Sequence, residues 1–343
     1  MSIANSIYID PSYPVYYSDR IFDTSDALNR DNCLLPFARM REALNARGVT
    51  VHTADKLMGH ESSEGVSEYY SLGILDNYSK LLGRRNVRLA GFVVMEPPLV
   101  APKLYCALPD LTRHFERVYV HNTEGDGYSL DGVDRTRLRT FNWPQPNRGV
   151  LEPYWSAGER MNRIVVINGN HKALSRDSAE LYSTRISAMV SLARFDNVDL
   201  YGQGWDKWWS RRSLWPHYWV NYRTLMSIYR GSCVSKSDVL SKYRFSLCFE
   251  NMAMTGYVTE KIFDCLYAGC VPLYLGAKNI ENLIPSEAYV DCRQFTSWEE
   301  LNAYVTAMSN SQVEAKRQAG RAFLESDAIL KYTDSITDII NGK

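Results

Sequence analysis

The 343-residue chain has no CxxC pair, no run of 18 apolar residues, no repeats, no low-complexity segment and no surplus of either charge. Each absence removes a class of protein. Seven cysteines, an odd number scattered through apolar stretches such as "FSLCFE" and "DCLYAGC", argue against a disulfide scaffold or a zinc site and for buried, reduced thiols. With 39 basic and 39 acidic residues, no global field draws the chain to nucleic acid or to an anionic membrane. The opening "MSIANSIYID" has no basic region followed by a long apolar core, and no segment suits a transmembrane helix. The expectation is a soluble cytoplasmic protein, at most peripheral at the inner membrane. The sequon Asn77-Tyr78-Ser79 has no weight in that compartment. Walker A, HExxH and DxD motifs are also missing. "YGQGWDK" offers Gly202 and Gly204 but Lys207 where a dinucleotide fingerprint needs a third glycine.

What is present is alternation. "LLPFARMREALNARG" has helical spacing and leads into the strand-like "VTVHT". "EYYSLGILDNYSKLLG", 68–83, reads as a helix before the strand "RLAGFVVM", and "KLYCALPDLTRHF" precedes the strand "RVYVHN". Residues 141–160 carry three prolines and two glycines with little period and form a candidate linker. Beyond it come a strand at "RIVVING", a helix over 178–194, strands at "NVDLYG" and "YRFSLCFE", a helix over 257–268 and a strand at "VPLYLG". The tail, 297–341, reads as two helices. The pattern predicts two doubly wound α/β domains, 1–150 and 151–343, facing a cleft, with C-terminal helices able to pack back on the first. In such sheets ligands bind beyond the carboxyl ends of the strands.

The stretch "FENMAMTGYVTEKIFDCLYAGCVPLYLG", 249–276, carries the sharpest signal. Val258, Ile262, Cys265 and Leu266 share one helical face, which puts Thr259, Glu260 and Lys261 at the helix start. A lysine there opposes the positive end of the helix dipole unless an anion lies in front of it. Free N–H groups plus one ammonium make a phosphate pocket; a solvated lysine balanced by Glu260 is the alternative.

Residues 243–291 resemble the donor-site region of the glycosyltransferase family 10 fucosyltransferases, with "FEN", "YVTEK", "AG", "VP", "LG" and "IP" in order at that family's spacing. Residues 163–208 continue the likeness: Asn168 follows a strand, Arg185 opens "RISAMVSL", and "LYGQGW" closes the next strand. "VVMEPPLVAP" is similar to the family's "ESP" segment, with Pro97 in place of serine. The likeness covers 88–325 unevenly.

The resemblance implies a GT-B fold: an acceptor-side N-terminal domain and a C-terminal domain that binds GDP-fucose. It also implies inverting transfer to an oligosaccharide acceptor, with no required cofactor or divalent metal. By the same likeness Arg185 and Lys261 hold the diphosphate and Glu260 the ribose. Tyr257, Asn251 and Glu250 shape the donor pocket together with Asn168 and Gly202, and Glu96 is the general base. The diphosphate would then be the anion in front of Lys261. Fixed cations beside a leaving diphosphate stabilise the transition state more than the ground state. A guanidinium bridges two phosphate oxygens where an ammonium acts as a point charge. A surface polysaccharide such as lipopolysaccharide O-antigen is the expected product. Another nucleotide sugar, or a binding protein without turnover, are the alternatives.

Two features lie outside that reading. His171-Lys172 follows the strand ending near Asn168 and is either a phosphate contact or a solvated pair. Residues 204–223 hold five tryptophans (205, 208, 209, 215 and 219), three arginines and two tyrosines. They form either a lid or acceptor surface, or a packed surface loop.

Overall fold

The computed structural model describes residues 6–59, 65–173, 177–207 and 215–343. The chain divides into two units, Met1–Pro146 with Leu330–Lys343, and Asn147–Ile329.

The first unit is built on six parallel strands: β1 (Ser6–Asp10), β2 (Thr50–Thr53), β3 (Ser67–Ser71), β4 (Val87–Val93), β5 (Arg117–Val120) and β6 (Leu138–Thr140). They lie in the order β2-β1-β3-β4-β5-β6. Both faces are covered. Tyr69, Phe92, Val118 and Val120 enter one apolar cluster, and Tyr70, Ala90, Val93 and Tyr119 the other. Neighbouring residues of one strand thus point to opposite cores, and the strands read as continuous apolar runs.

That burial explains where the sequence misleads. The helix expected over 68–83 is instead strand β3, a turn at Gly73 (φ 87°) and a short 3-10 turn at Tyr78–Leu81. All five residues of β3 are buried, so its polar and apolar positions show no alternation, and Tyr69, Leu72 and Leu75 mimic a helical repeat. The tail also differs from two helices. Trp298–Ala307 and Asn310–Glu325, the latter opened by a Ser309–Gln312 capping box, are followed by short helices Leu330–Thr333 and Ser335–Ile340. Ile336 and Ile339 of the last segment join the core that holds Tyr70 and Tyr119. Tyr119 donates its hydroxyl to the Ile339 carbonyl at 3.0 Å.

The second unit holds β7 (Met161–Ile167), β8 (Val198–Tyr201), β9 (Tyr243–Phe249), β10 (Val271–Leu275) and β11 (Val290–Asp291). All are parallel, in the order β11-β10-β9-β7-β8. Strand order reverses between β7 and β9, which makes the crevice at their carboxyl ends the place where a doubly wound sheet binds ligands. Cys248, Cys265, Cys270 and Cys292 are buried here, as expected, whereas Cys33 and Cys106 are exposed and Cys233 is half-buried, which corrects the expectation of buried thiols at those three positions. Among the described residues no helix is long and apolar enough to cross a membrane.

Candidate functional site

At the carboxyl end of β9 the chain continues as Glu250-Asn251, and the helix Tyr182–Ala193 presents Arg185 to the same place. Arg185 is buried and donates from Nη2 to the carbonyls of Phe249 at 2.7 Å and Glu250 at 3.0 Å. Its guanidinium lies 5.5 Å from the Tyr182 ring centroid. Burial pulls its pKa down, against the opposing influence of Tyr182 and Glu250. Arg185 Nε, also buried, finds no acceptor among the described residues, which leaves a donor for a ligand.

Lys261 comes to the same residue from the other side. The helix Glu260–Ala268 starts after Thr259, and in front of it stands the fully buried Glu250. Glu250 Oε1 accepts from the Thr259 backbone N–H at 2.8 Å, and Oε2 accepts from Lys261 Nζ at 3.0 Å. The anion expected before Lys261 is therefore present within the chain, and Glu250 faces the helix start rather than lining an open pocket. The counter-charge expected from the sequence is a diphosphate, or Glu260 beside a solvated lysine; Glu250 is not expected in that place. Lys261 also donates to Thr259 Oγ1 at 2.9 Å, so among the described residues two of its three N–H donors are used and one remains. Burial disfavours its charge, but Glu250 and Glu260 outweigh that and raise its pKa above the ordinary lysine value.

Glu260, 37% exposed, lies 3.9 Å from both Lys261 and Lys236. Burial raises its pKa, but these two cations prevail and lower it to about 2. Lys236, in the short helix Lys236–Leu240, also pairs with Asp264 at 2.8 Å. The sequence gives no hint of Lys236, because it approaches from a separate helix. Gly276, the glycine of the "LG" element, makes room for Glu250: a Cβ there would stand 2.5 Å from Glu250 Cγ, so only glycine leaves the carboxylate its seat.

The other expected residues are placed around this centre. Asn251 Nδ2 donates to the hydroxyl of the buried Tyr257 at 3.4 Å. Asn168 and Gly202 meet at the ends of β7 and β8. Gly202 has φ 145°, and a Cβ on it would lie 1.9 Å from the Asn168 carbonyl oxygen. Trp205 Nε1 donates to that oxygen at 2.6 Å, and Tyr218 donates its hydroxyl to the Trp205 carbonyl at 2.5 Å. Trp205 and Tyr218 of the aromatic stretch are thus packed residues that clamp the strand ends. Trp219 and Val220 are exposed, while 208–214 lie outside the described residues.

In the first unit Glu96 follows β4 at the carboxyl edge of its sheet, and its carbonyl accepts from the Tyr105 hydroxyl at 3.1 Å. The carbonyl of Pro97 accepts from the Val100 and Ala101 amides at 2.9 and 3.0 Å, fixing the turn. His121 Nε2 donates to the Met95 carbonyl at 2.7 Å. Burial lowers the imidazole pKa to about 4, with the Met95 bond opposing, so a neutral ring buttresses the residue before Glu96.

Residues 173–317 match the glycosyltransferase family 10 (fucosyltransferase) C-terminal region. The alpha-(1,4)-fucosyltransferase of Arabidopsis thaliana is 42% identical over 74 residues, covering 22% of this chain and 18% of that protein. The human alpha-(1,3)-fucosyltransferase 7 is 30% identical over 192 residues, covering 51% of this chain and 47% of that protein. This chain therefore spans less than half the length of these curated relatives. The structure of WaaG, a glycosyltransferase involved in lipopolysaccharide biosynthesis, superposes with a TM-score of 0.51 at 12% identity, covering 98% of this chain and 100% of WaaG. Two parallel-sheet units of this kind are those of the GT-B glycosyltransferase fold. Over residues 173–317 the chain is thus similar to the C-terminal region of the glycosyltransferase family 10 fucosyltransferases.

Proposed function

We propose that the chain is an inverting fucosyltransferase that moves L-fucose from GDP-β-L-fucose to a hydroxyl of a glycan acceptor, in α1,3 or α1,4 linkage. The family match and the names of the relatives support the fucosyl transfer. The observation that carries the reading is the meeting of Arg185 and Lys261 on Glu250, at the reversal point of the second sheet. Arg185 Nε and the third N–H of Lys261 are the donors for the diphosphate, with Glu260 taking the ribose hydroxyls. Tyr257, Asn251, Asn168 and Gly202 shape the surrounding walls.

In the reaction the bond from fucose C1 to the β-phosphate oxygen breaks and its electron pair leaves with GDP. The acceptor oxygen bonds to C1 from the opposite face, and its proton passes to Glu96. Cations fixed before the reaction lower the cost of the growing diphosphate charge. No divalent metal is required, and the setting is cytoplasmic synthesis of a bacterial surface polysaccharide such as an O-antigen precursor.

Turnover assays with GDP-fucose, GDP-mannose and UDP-sugars test this. Glycan-dependent GDP release from GDP-fucose, unchanged by EDTA, is expected. Release from a different nucleotide sugar alone would identify another GT-B transferase, and binding without release a non-catalytic protein.

A further inference from the structure

Residues 11–34 connect β1 to the helix Leu35–Asn45, far longer than the two to six residues usual between a strand and its helix. Ser18, Asp19, Asp31 and Asn32 hold φ of 59°, 64°, 54° and 61° there. Among the described residues only Asp196 is another non-glycine with positive φ. Such backbone persists where its surroundings fix it, and it gathers at functional sites.

The fixing contacts are specific. Asp19 Oδ1 accepts from the Thr53 amide at 2.8 Å, and Oδ2 accepts from Lys56 at 2.5 Å and lies 2.9 Å from His52 Nδ1. Tyr17 donates its hydroxyl to the buried Asp10 at 2.7 Å, and Asn77 donates to the same carboxylate at 3.0 Å. Ser12 Oγ donates to the Leu72 carbonyl at 2.7 Å and lies 3.8 Å from Met95 Sδ. The segment is thus tied to the carboxyl ends of β1, β2, β3 and β4, and it abuts the residue before Glu96.

Among the residues this held segment exposes, one is aromatic. Tyr13 is 62% exposed, and the Tyr16 ring stands 6.4 Å from it at 60°. A rigid tyrosine offers a flat apolar face and a polar edge at small entropic cost, a surface suited to one face of a sugar ring. Resting on the fucosyltransferase reading, we propose that Tyr13, cornered by Tyr16, is an acceptor subsite on which a pyranose ring of the glycan stacks.

The test uses the full chain with the β1,4- and β1,3-linked galactosyl-N-acetylglucosamine disaccharides, which leave O3 and O4 of the glucosamine free. Disaccharide binding is followed by saturation-transfer NMR, and KM is measured for both substrates. Tyr13→Ala should raise the acceptor KM about tenfold or more and abolish the NMR contact, with the KM for GDP-fucose unchanged. Tyr13→Phe and Tyr13→Trp should retain most of the affinity. Wild-type protein that binds neither disaccharide, or binding that Tyr13→Ala leaves intact, would overturn the subsite. Binding through Tyr13 without fucose transfer would keep the subsite and remove the fucosyltransferase reading.

Discussion

At the residue scale the candidate site depends on charges held at fixed protonation. Glu260 titrates near pH 2 and Lys261 above the ordinary lysine range, so neither changes charge near neutrality. Calorimetry with GDP-fucose, whose diphosphate is esterified at both ends and has no ionisation near neutrality, should find affinity flat from about pH 5 to 8; a titration step attributable to Glu260 in that window contradicts the geometry. Glu96→Ala should cut kcat by about 10²- to 10⁴-fold while the GDP dissociation constant holds, whereas Lys261→Ala should weaken both; the reverse pattern would exchange their roles. His121 makes a separate test. Its folded pKa of about 4 lies below the ordinary 6.5, so the unfolded chain takes up the proton first as pH falls. The stability contribution is complete above the unfolded value and is lost between about pH 6.5 and 4, roughly 3 kcal/mol in all. Urea melts from pH 7 to 4 should show that slope, and His121→Gln should flatten it; a slope kept in full would remove His121 as its source. That Arg185, Lys261 and Glu260 gather in one place was legible in the sequence because each sits in a short motif at the end of a strand or the start of a helix. Lys236 acts through contacts with another segment and leaves no local signature, and Gly276 is marked by its "LG" element although its contact with Glu250 is not.

At the scale of elements, the start of the helix Glu260–Ala268 shows why a site can be half read from sequence. Helical spacing places Lys261 in the first turn, and the dipole argument requires an anion in front of it. Which anion is a tertiary matter: Glu250 reaches it from the end of β9 across a gap that Gly276 keeps open. Gly276→Ala should therefore displace the carboxylate, costing about 1–3 kcal/mol in stability and weakening GDP binding. An unchanged melting curve and GDP affinity would contradict that packing. Glu250→Gln leaves Lys261 without its buried counter-charge and should destabilise by about 3 kcal/mol. Adding Lys261→Met should recover part of the loss; simple additivity would show that the two side chains do not interact. Strand β3 failed for a related reason. With every residue buried, it lacks the alternation that marks a half-exposed strand, and Tyr69 with Leu72 and Leu75 beyond its end falls at helical spacing by coincidence.

At the scale of the whole molecule, the repeated succession of strand and helix made two parallel sheets legible, and the fold follows from it. The return of Leu330–Lys343 to the first unit was not legible as a boundary, since Tyr119 and Ile339 are 220 residues apart in sequence. Truncation after Ile329 would strip Ile336 and Ile339 from the core of that unit, a loss of roughly 3–6 kcal/mol from two buried side chains. Chemical denaturation of the truncated chain should show a lowered or absent transition; full retention of stability would contradict the packing. On the proposed reading, the second sheet holds a guanosine diphosphate between Arg185 and Lys261 at its point of strand reversal. A crystal structure with GDP tests it most directly. Phosphate oxygens within hydrogen-bonding distance of Arg185 Nε and Lys261 Nζ are the expected result, and a nucleotide bound elsewhere, with Lys261 still paired only to Glu250, would contradict it.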